Sequence, residues 1–482
     1  MRKIILTILT TAVIMISACE KFLDQQPLSE LSTGLFWRNA DDAKLGMAGM
    51  YDAMQRTMVH NYIDWAEPRS DNFKAPSNAE SQLNLSLNAL DANAPQASWS
   101  ALYATISQAN FALKYVPQIQ QINAQVRDNY LAQAYAMRAY CYFFAIRLWG
   151  DVPLWLEPYE DLKQDAHLPR TPANDILQNV IIPDLEKAAG IVSPGAAPSV
   201  WELNSGSILA ILTEVYAWKK DYPKVLETSQ RLIALNRYSL TPAASWKKLF
   251  TDPAGTQEAI WSLHWAFAQD GADGMAHRYG SSNLSSYYSI DSNALKLFEA
   301  NPADIRRHFT YDTMLVKAST GVNKIAKFYP YENNKPVYPS TTTSEHFYAL
   351  YRYADILLLR AEAYNAINSP GYKTEAVKLL NEIRKRANVP LYTENQFATQ
   401  EELETAILNE RQVELFGEGK RWFDLIRTER LITVMDPVIK ERQRQKNFAQ
   451  TGFGDPRRVL LPISRTALNE NPKLTQNPPY SE

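Results

Sequence analysis

The chain has almost no cysteine. Cys19 and Cys141 are its only two, so no disulfide framework is available and stability rests on an apolar core. Histidine is scarce too. His60, His167, His264, His277, His308 and His346 are the full set; none pairs with another at the spacing of a helical metal site, and the cysteines are too few to complete one. Net charge is nearly absent. Fifty Lys and Arg stand against 52 Asp and Glu, a formal charge of −2, which offers no basic field for nucleic acid. Beyond the first residues no apolar run is long and charge-free enough to cross a bilayer.

Catalytic signatures are also missing. There is no G-x-S-x-G elbow and no G-x-G-x-x-G. "FGEGKRW" has a Gly-Lys step, but no glycine stands five residues before Gly419, so it is not a phosphate loop. "DGADG", Asp270 to Gly274, lacks the full ligand spacing of a calcium loop. Among 52 acids no pair is selected for glycoside hydrolysis. These gaps argue against an enzyme, a metal and a cofactor.

What is present begins at the N-terminus. Arg2 and Lys3 precede an apolar run from Ile4 to Ile16. The run is shorter than the roughly 20 residues that span a membrane, and it fits the core of a secretory signal. Ser17-Ala18 then lead to Cys19. The stretch Ile16-Ser17-Ala18-Cys19 resembles a bacterial lipobox, in which the thiol accepts diacylglycerol before cleavage. Residues 1–18 are therefore expected to be removed. Cys19 then becomes a lipid-bearing N-terminus, held by several acyl chains better than by one. Cys141, in "YCYFFAIRLW", is left as a buried, unreactive thiol.

The rest of the chain is dominated by helical periodicity. "YLAQAYAMRAYCYFFAIRLWG" carries Ala134, Met137, Cys141, Phe144 and Leu148 at steps of three and four, with Gly150 as its stop. "SILAILTEVYAWKKDYPKVLETSQRLIALN" predicts two helices joined at Asp221-Tyr222-Pro223. "YADILLLRAEAYNAINSPGYKTEAVKLLNEIRKRANV" predicts two more, joined at Ser369-Pro370-Gly371. Both resemble the tetratricopeptide helix–turn–helix unit, which buries its apolar face only by stacking on neighbours. A last helix is expected over about Gln400 to Thr428. The middle differs: from about Pro242 to Glu345, Gly, Ser, Pro, Asn and Thr are frequent and long periodic stretches few. Long loops within a compact domain are often functional.

Several segments, in order, resemble one family. They are "CEKFLDQQP", "FWRNADDAKLGMAGMYDAM", "EPRSDN", "AMRAYCYFFAIRLWGDVPL", "YRYADILLLRAEAYNAI", "LLNEIRKRANV", "ILNERQVELFGEGKRWFDLIR" and "VLLPISRTALNENPKLTQNPPY". The series is similar to the SusD-like (RagB/SusD) nutrient-binding outer-membrane lipoproteins of Bacteroidetes. The resemblance implies a mostly α fold of about four tetratricopeptide-like helix pairs in a right-handed superhelical scaffold, with a loop-rich binding region. It implies a signal peptide over 1–18 and a single domain over 19–482. The helices would lie mainly within 33–241 and 346–428, with excursions near 60–98 and 242–345. It also implies a non-catalytic, lipid-anchored protein on the outer face of the outer membrane. Such a protein binds an oligosaccharide, or in some members a peptide, and covers a SusC-like TonB-dependent transporter. The acidic Glu20 just after Cys19 fits the surface-export signal of these organisms.

The shared motifs themselves read as scaffold, with Glu410, Arg411, Glu414 and Arg421 ion-paired along helix faces. Binding is expected in the loops, where aromatic rings stack on sugar C–H faces and planar polar groups bind hydroxyls. The candidates are Trp65, Arg69, Asp71 and Asn72 in one loop; Trp265, Tyr279, Tyr287 and Tyr288 in a second; and Tyr329 and Tyr331 in a third. Arg69 and Asp71 pairing with each other is the plainer alternative. A pure tetratricopeptide scaffold and a lipoprotein glycosidase are the competing functions; the aromatic loops disfavour the first, and the lack of a selected acid pair disfavours the second.

Overall fold

The computed structural model describes residues 36–76, 80–161, 163–194, 199–271, 274–282, 286–312 and 325–481. The leader, Cys19 and Glu20 lie outside these residues, as does part of the Asp270–Gly274 stretch.

Eight helices form the scaffold: α1 (Ala40–Asn61), α2 (Ser100–Tyr115), α3 (Ala124–Trp149), α4 (Ile182–Ile191), α5 (Ser205–Trp218), α6 (Tyr222–Ile233), α7 (Tyr353–Ile367) and α8 (Tyr372–Ala387). Each packs on the next, from α1 to α8, which gives four consecutive tetratricopeptide-like helix pairs. A ninth, α9 (Gln400–Glu414), leans on α7 and α8. Local sequence explains the elements. Asn39 and Asp42 close a capping box at the start of α1. Ala43, Met47, Met50, Met54 and Met58 then line its buried face at steps of three and four. Asn204 and Ser207 do the same at the start of α5.

The expected one-sided apolar face of α3 is wider than its periodicity suggests. From Met137 to Trp149 every residue is buried, Arg138 and Arg147 included. α3 is covered by α2, α4, the α1 end and the C-terminal segment, so its C-terminal half is buried all round, with Arg138 paired to Asp184 and Arg147 to Glu214. Gly150 ends it at φ 73°, a conformation that costs a residue with a Cβ. Cys141 is fully buried among these contacts, and burial pushes its thiol pKa far up.

The middle of the chain is more regular than the composition predicts. β1 (Ala259–Ala266) pairs antiparallel with β2 (Glu345–Arg352), across more than seventy residues of intervening chain. Further short helices, Ser292–Glu299 and Ile305–Thr310, lie between them. Three more helices follow α9: α10 (Arg421–Arg427), α11 (Leu431–Gln445) and α12 (Arg465–Glu470). The closing segment returns to the end of α3, where Leu461 N–H donates to the Leu148 carbonyl at 2.7 Å and Asn477 Nδ2 to that of Trp149 at 2.8 Å.

A buried ionic knot ties α9 to the β1–β2 pair. Arg352 reaches Glu258 at 2.8 Å and Glu418 at 2.7 Å, and also Glu414. Arg306 reaches Asp304, Glu410 and Glu414 at 2.6–2.9 Å. Arg384, Arg386 and Lys327 complete the set against Glu410, Glu258, Glu414 and Glu418. Five cations thus face five carboxylates, which is how so many charges are tolerated away from water. Burial alone would raise the Glu414 pKa, but Arg386, Arg352 and Arg306 hold it well below its usual value. The pairs therefore bridge separate elements rather than running along one helix face. Arg411 likewise reaches Asp355 and Asp424, and Arg421 reaches Asp71.

Candidate functional site

The first predicted loop follows α1 and turns inward. Trp65 is fully buried, edge-on to Trp149 at 5.7 Å, and its Nε1 donates to the Gln96 carbonyl at 3.3 Å. The Arg69 guanidinium lies 4.0 Å over the Trp422 ring. It donates to Asn88 Oδ1 and to the carbonyls of Arg458 and Val459 at 2.9–3.2 Å; burial lowers its pKa to about 10. Asp71 takes two bonds from Arg421, at 2.8 and 3.1 Å. Burial works to raise the Asp71 pKa, but the Arg421 charge and bonds bring it below the ordinary value. Arg69 and Asp71 therefore have separate partners, not each other. Asn72 donates to Glu67 at 2.7 Å and accepts from Gln412 at 3.0 Å. Arg69, Asp71 and Asn72 pin the loop to α9, α10 and the closing segment, and Trp65 pins it to the end of α3.

The second and third loops supply a buried layer of rings. Tyr279 lies parallel to Phe328 at 5.0 Å and donates to the Gly417 carbonyl at 3.3 Å. Tyr288 donates to Asp64 at 3.1 Å and stacks on Phe73. Tyr329 is fully buried and donates to the Gly280 carbonyl. Trp265 belongs to β1, not to a loop; it is 5% exposed and donates to the Gly271 carbonyl at 3.1 Å. Of the ten candidates only Tyr287 and Tyr331 keep accessible ring surface. Tyr287 rests against His277, with rings 5.6 Å apart, and Tyr331 donates to the His308 carbonyl at 2.7 Å. In this structure the other eight are fold-forming side chains. Loop composition suggested rings projecting outward; partners far along the chain draw them in.

An open aromatic face does exist beside this layer. A groove of about 440 Å³ lies between Tyr51, Asp52 and Gln55 of α1, the Trp201–Glu202 turn, the Ser262–His264 stretch of β1, and Gln269–Asp270 of the next short helix. His264 and Phe347, on neighbouring strands, stack at 4.9 Å and 11°. Trp201 stands 5.8 Å from both. The backbone below is fixed: Gln55 Nε2 donates to the His264 carbonyl at 2.6 Å, and Tyr51 bridges the Leu203 N–H (2.8 Å) and Gln133 (3.0 Å). Burial keeps the Tyr51 hydroxyl protonated by pushing its pKa up. The Trp201 indole N–H, the Glu202 carboxylate and the Gln269 amide have no protein partner among the described residues. The His264 ring nitrogen Nε2 is taken up by Glu345 at 2.7 Å, so the groove offers ring surface beside three unspent groups, those of Trp201, Glu202 and Gln269, a combination that suits a polyhydroxylated ring. The described residues hold no group of three or more His, Cys, Asp or Glu placed for a metal ion.

Sequence reading reached the edge of this groove through the excursion after Trp265, but passed over Trp201, Gln55 and Phe347. The available signal was Trp201 itself, a large ring between a Ser/Pro-bearing turn and the Asn204 cap.

A model described as the SusD family matches residues 257–480, and one described as starch-binding associating with outer membrane matches residues 21–216. A SusD-like protein of Formosa agariphila is 30% identical over 515 aligned residues, covering 96% of each chain. A SusD-like protein of Bacteroides ovatus is 23% identical, over 88% of this chain and 82% of that one. Among solved structures, a SusD superfamily protein from Bacteroides vulgatus superposes with TM-score 0.78 at 18% identity, over 92% of this chain and 99% of that one. A laminarin-binding SusD-like protein gives 0.75 at 20%, over 92% and 100%. These structural likenesses are likenesses of fold. No helix among the described residues is long and apolar enough to cross a membrane.

Proposed function

The chain belongs to the SusD-like family, and from that premise we propose that it is a cell-surface glycan-binding lipoprotein that passes oligosaccharides to a SusC-like TonB-dependent transporter. The observation that carries the reading is the groove: the half-buried Trp201 and His264 rings line it on a fixed backbone, with Phe347 stacked behind His264 and the unpaired Trp201 indole N–H, Glu202 carboxylate and Gln269 amide beside them. The descriptions of the relatives, starch-binding in one family model and laminarin-binding in one structure, support glycans as the cargo class. A stack of rings without a deep enclosure favours weak, multi-point grip, which suits handover rather than capture. Nothing in the groove calls for bond breaking, and the chain acts as a binding protein. Its residues 1–18 are the lipoprotein signal, Cys19 is the lipid-bearing residue, and residues 19–482 form one SusD-like domain.

The test is a glycan array probed with the mature protein, alongside a set of peptides. Binding to a glycan class without release of new reducing ends supports the reading. Binding to peptides alone replaces the cargo class, and turnover of the bound glycan replaces the binding role with a glycosidase. Gentle detergent extraction from the native membrane should bring down a large β-barrel protein; specific interfaces bury roughly 1,200–2,000 Å², so the complex should survive. A lone monomer would refute the transporter partnership.

A further inference from the structure

A second cavity, about 850 Å³, shares no lining residue with the groove. It opens between the start of α2, the Pro153–Trp155 segment after α3, the 166–167 turn and α12. Its volume lies within the range of about 300–1,000 Å³ usual for small-molecule sites. We infer that it is a second carbohydrate subsite, taking a short stretch of oligosaccharide against Trp155, with the edge of Trp99 in its wall. The inference rests on the glycan-binding reading above.

Trp155 is the fixed point of this cavity. Its backbone is held at three points: the Tyr142 hydroxyl accepts from its N–H at 2.7 Å and donates to its carbonyl at 2.9 Å, and Asn110 donates to the same carbonyl at 3.1 Å. Yet the ring stays half-exposed, edge-on to the exposed Tyr159 at 5.9 Å. A residue so firmly fixed with its ring left in the open is unlike Trp65, whose fixing buries it. Trp99 stands at the opposite style of contact, largely covered, edge-on to Trp149 at 5.9 Å, with one edge lining the cavity. Tyr103 braces the wall by donating to the Pro153 carbonyl at 2.5 Å.

The facing wall is equally built. The Arg465 N–H donates to the Ala92 carbonyl at 2.8 Å, and Asn471 ties the end of α12 to the Leu168 carbonyl at 2.9 Å. Yet the Arg465 guanidinium and the Glu470 carboxylate have no protein partner among the described residues. Planar cation and carboxylate are the groups that bind vicinal hydroxyls in pairs, and the half-exposed Trp155 ring supplies the stacking face. A concave cavity with unspent polar groups suits a small hydrated ligand better than a protein surface, which docks on flatter, drier patches.

The experiment uses the full mature chain, a glycan array and titration calorimetry on the glycans that bind. Trp155→Ala should weaken binding of longer oligosaccharides at least about tenfold, within the range expected for a lost stacking ring. Trp155→Phe should restore most of it, and Arg465→Ala should weaken it with the fold intact by thermal unfolding. If glycans bind, Trp201→Ala weakens them and neither Trp155→Ala nor Arg465→Ala does, the second subsite is refuted and the groove alone stands. If no glycan binds at all, both readings fall. If the two variants leave glycan affinity unchanged but lose the co-purifying β-barrel protein, the cavity is a protein contact and the inference is overturned.

Discussion

The ring layer beneath the excursions and the groove beside α1 are made of the same residue types and do opposite work. In the layer, each polar edge is spent on the protein: Trp65 on Gln96, Trp265 on Gly271, Tyr279 on Gly417, Tyr288 on Asp64. In the groove, the Trp201 indole N–H has no protein partner among the described residues, and the ring remains half-exposed. The difference teaches that an aromatic residue in a loop is not assigned by its loop. It is assigned by whether the ring reaches the surface with its polar edge unspent; Trp246, Trp261 and Trp422 leave the indole N–H unpaired too, but are fully buried core rings. Buried indoles and phenols normally find a partner because an unpaired polar group away from water is costly; an unpaired one at the surface is available to a ligand.

The sharpest way to break this contrast is to remove the support under the layer. Arg352→Met leaves Glu258, Glu414 and Glu418 short of a counter-charge in a buried site. Breaking such a network from one side should cost about 3–5 kcal/mol, read by denaturant unfolding. A cost under about 1 kcal/mol would mean that the knot is solvated and does not hold the layer.

Trp65→Ala probes the layer itself. Emptying a fully buried ring site should cost about 3–5 kcal/mol, and Trp265→Ala should follow the same direction, because both rings pack against the core. Full stability together with lost glycan affinity in either variant would return that ring to the binding surface.

The pH dependence offers a third comparison, within the layer's own floor. Glu67 accepts from Asn72 at 2.7 Å and from the Gly419 N–H at 2.6 Å. Burial outweighs both bonds and the Lys327 charge, raising its pKa from 4.5 to about 7. The folded state therefore binds a proton that the unfolded state has released between those values. Stability from this group is present below about pH 4.5 and is lost as pH rises to about 7, on the order of 3 kcal/mol in all. Asp71, Asp424 and Glu414 run the other way: their folded pKa values are lowered. Their contribution is present above the ordinary carboxylate range and lost as pH falls through it. Glu67→Gln should flatten the loss between pH 5 and pH 8 and leave the acid limb in place. An unchanged profile would mean that Glu67 is ionised and hydrated in the fold.

How much of this was legible in sequence follows physical range. The helices were, because capping residues, Gly150 and the apolar steps are local; the joins at Asp221 and Gly371 fall where Pro and Gly put them. The charged motifs "ELFGEGKRW" and "RWFDLIR" were legible as ion-paired scaffold, but not their partners, since Glu414 meets Arg306 across 108 residues and Arg352 across 62. The β1–β2 pair was not legible. Its strands are far apart in sequence and their pairing is set by tertiary contact, so Trp265 read as a loop residue when it is a strand residue facing inward. Trp65 failed for the same reason: its partner Trp149 lies on another helix.

The smallest expected effect is also the one that decides the functional side of the contrast. Trp201 contacts His264 and Phe347 through ring faces 5.8 Å away, while its own surface is half open. Its removal should disturb the fold far less than removal of Trp65, because less apolar area returns to water. Glycan affinity should fall by roughly 1–3 kcal/mol, by analogy with a lost base-stacking ring, a five- to hundredfold weakening at about 1.4 kcal/mol per decade. Trp201→Phe should recover part of the affinity, since a ring face remains but the indole N–H does not. Calorimetry and thermal unfolding on the same preparations separate the outcomes. Lost affinity with a near-native melting temperature makes the groove the cargo site. Unchanged affinity in Trp201→Ala, with lost affinity on changing Tyr287 or Tyr331, moves the site to the two loop rings that still reach solvent. A sharp fall in melting temperature instead would place Trp201 among the fold-forming rings, beside Trp246, Trp261 and Trp422, whose indole N–H groups are unpaired in the core.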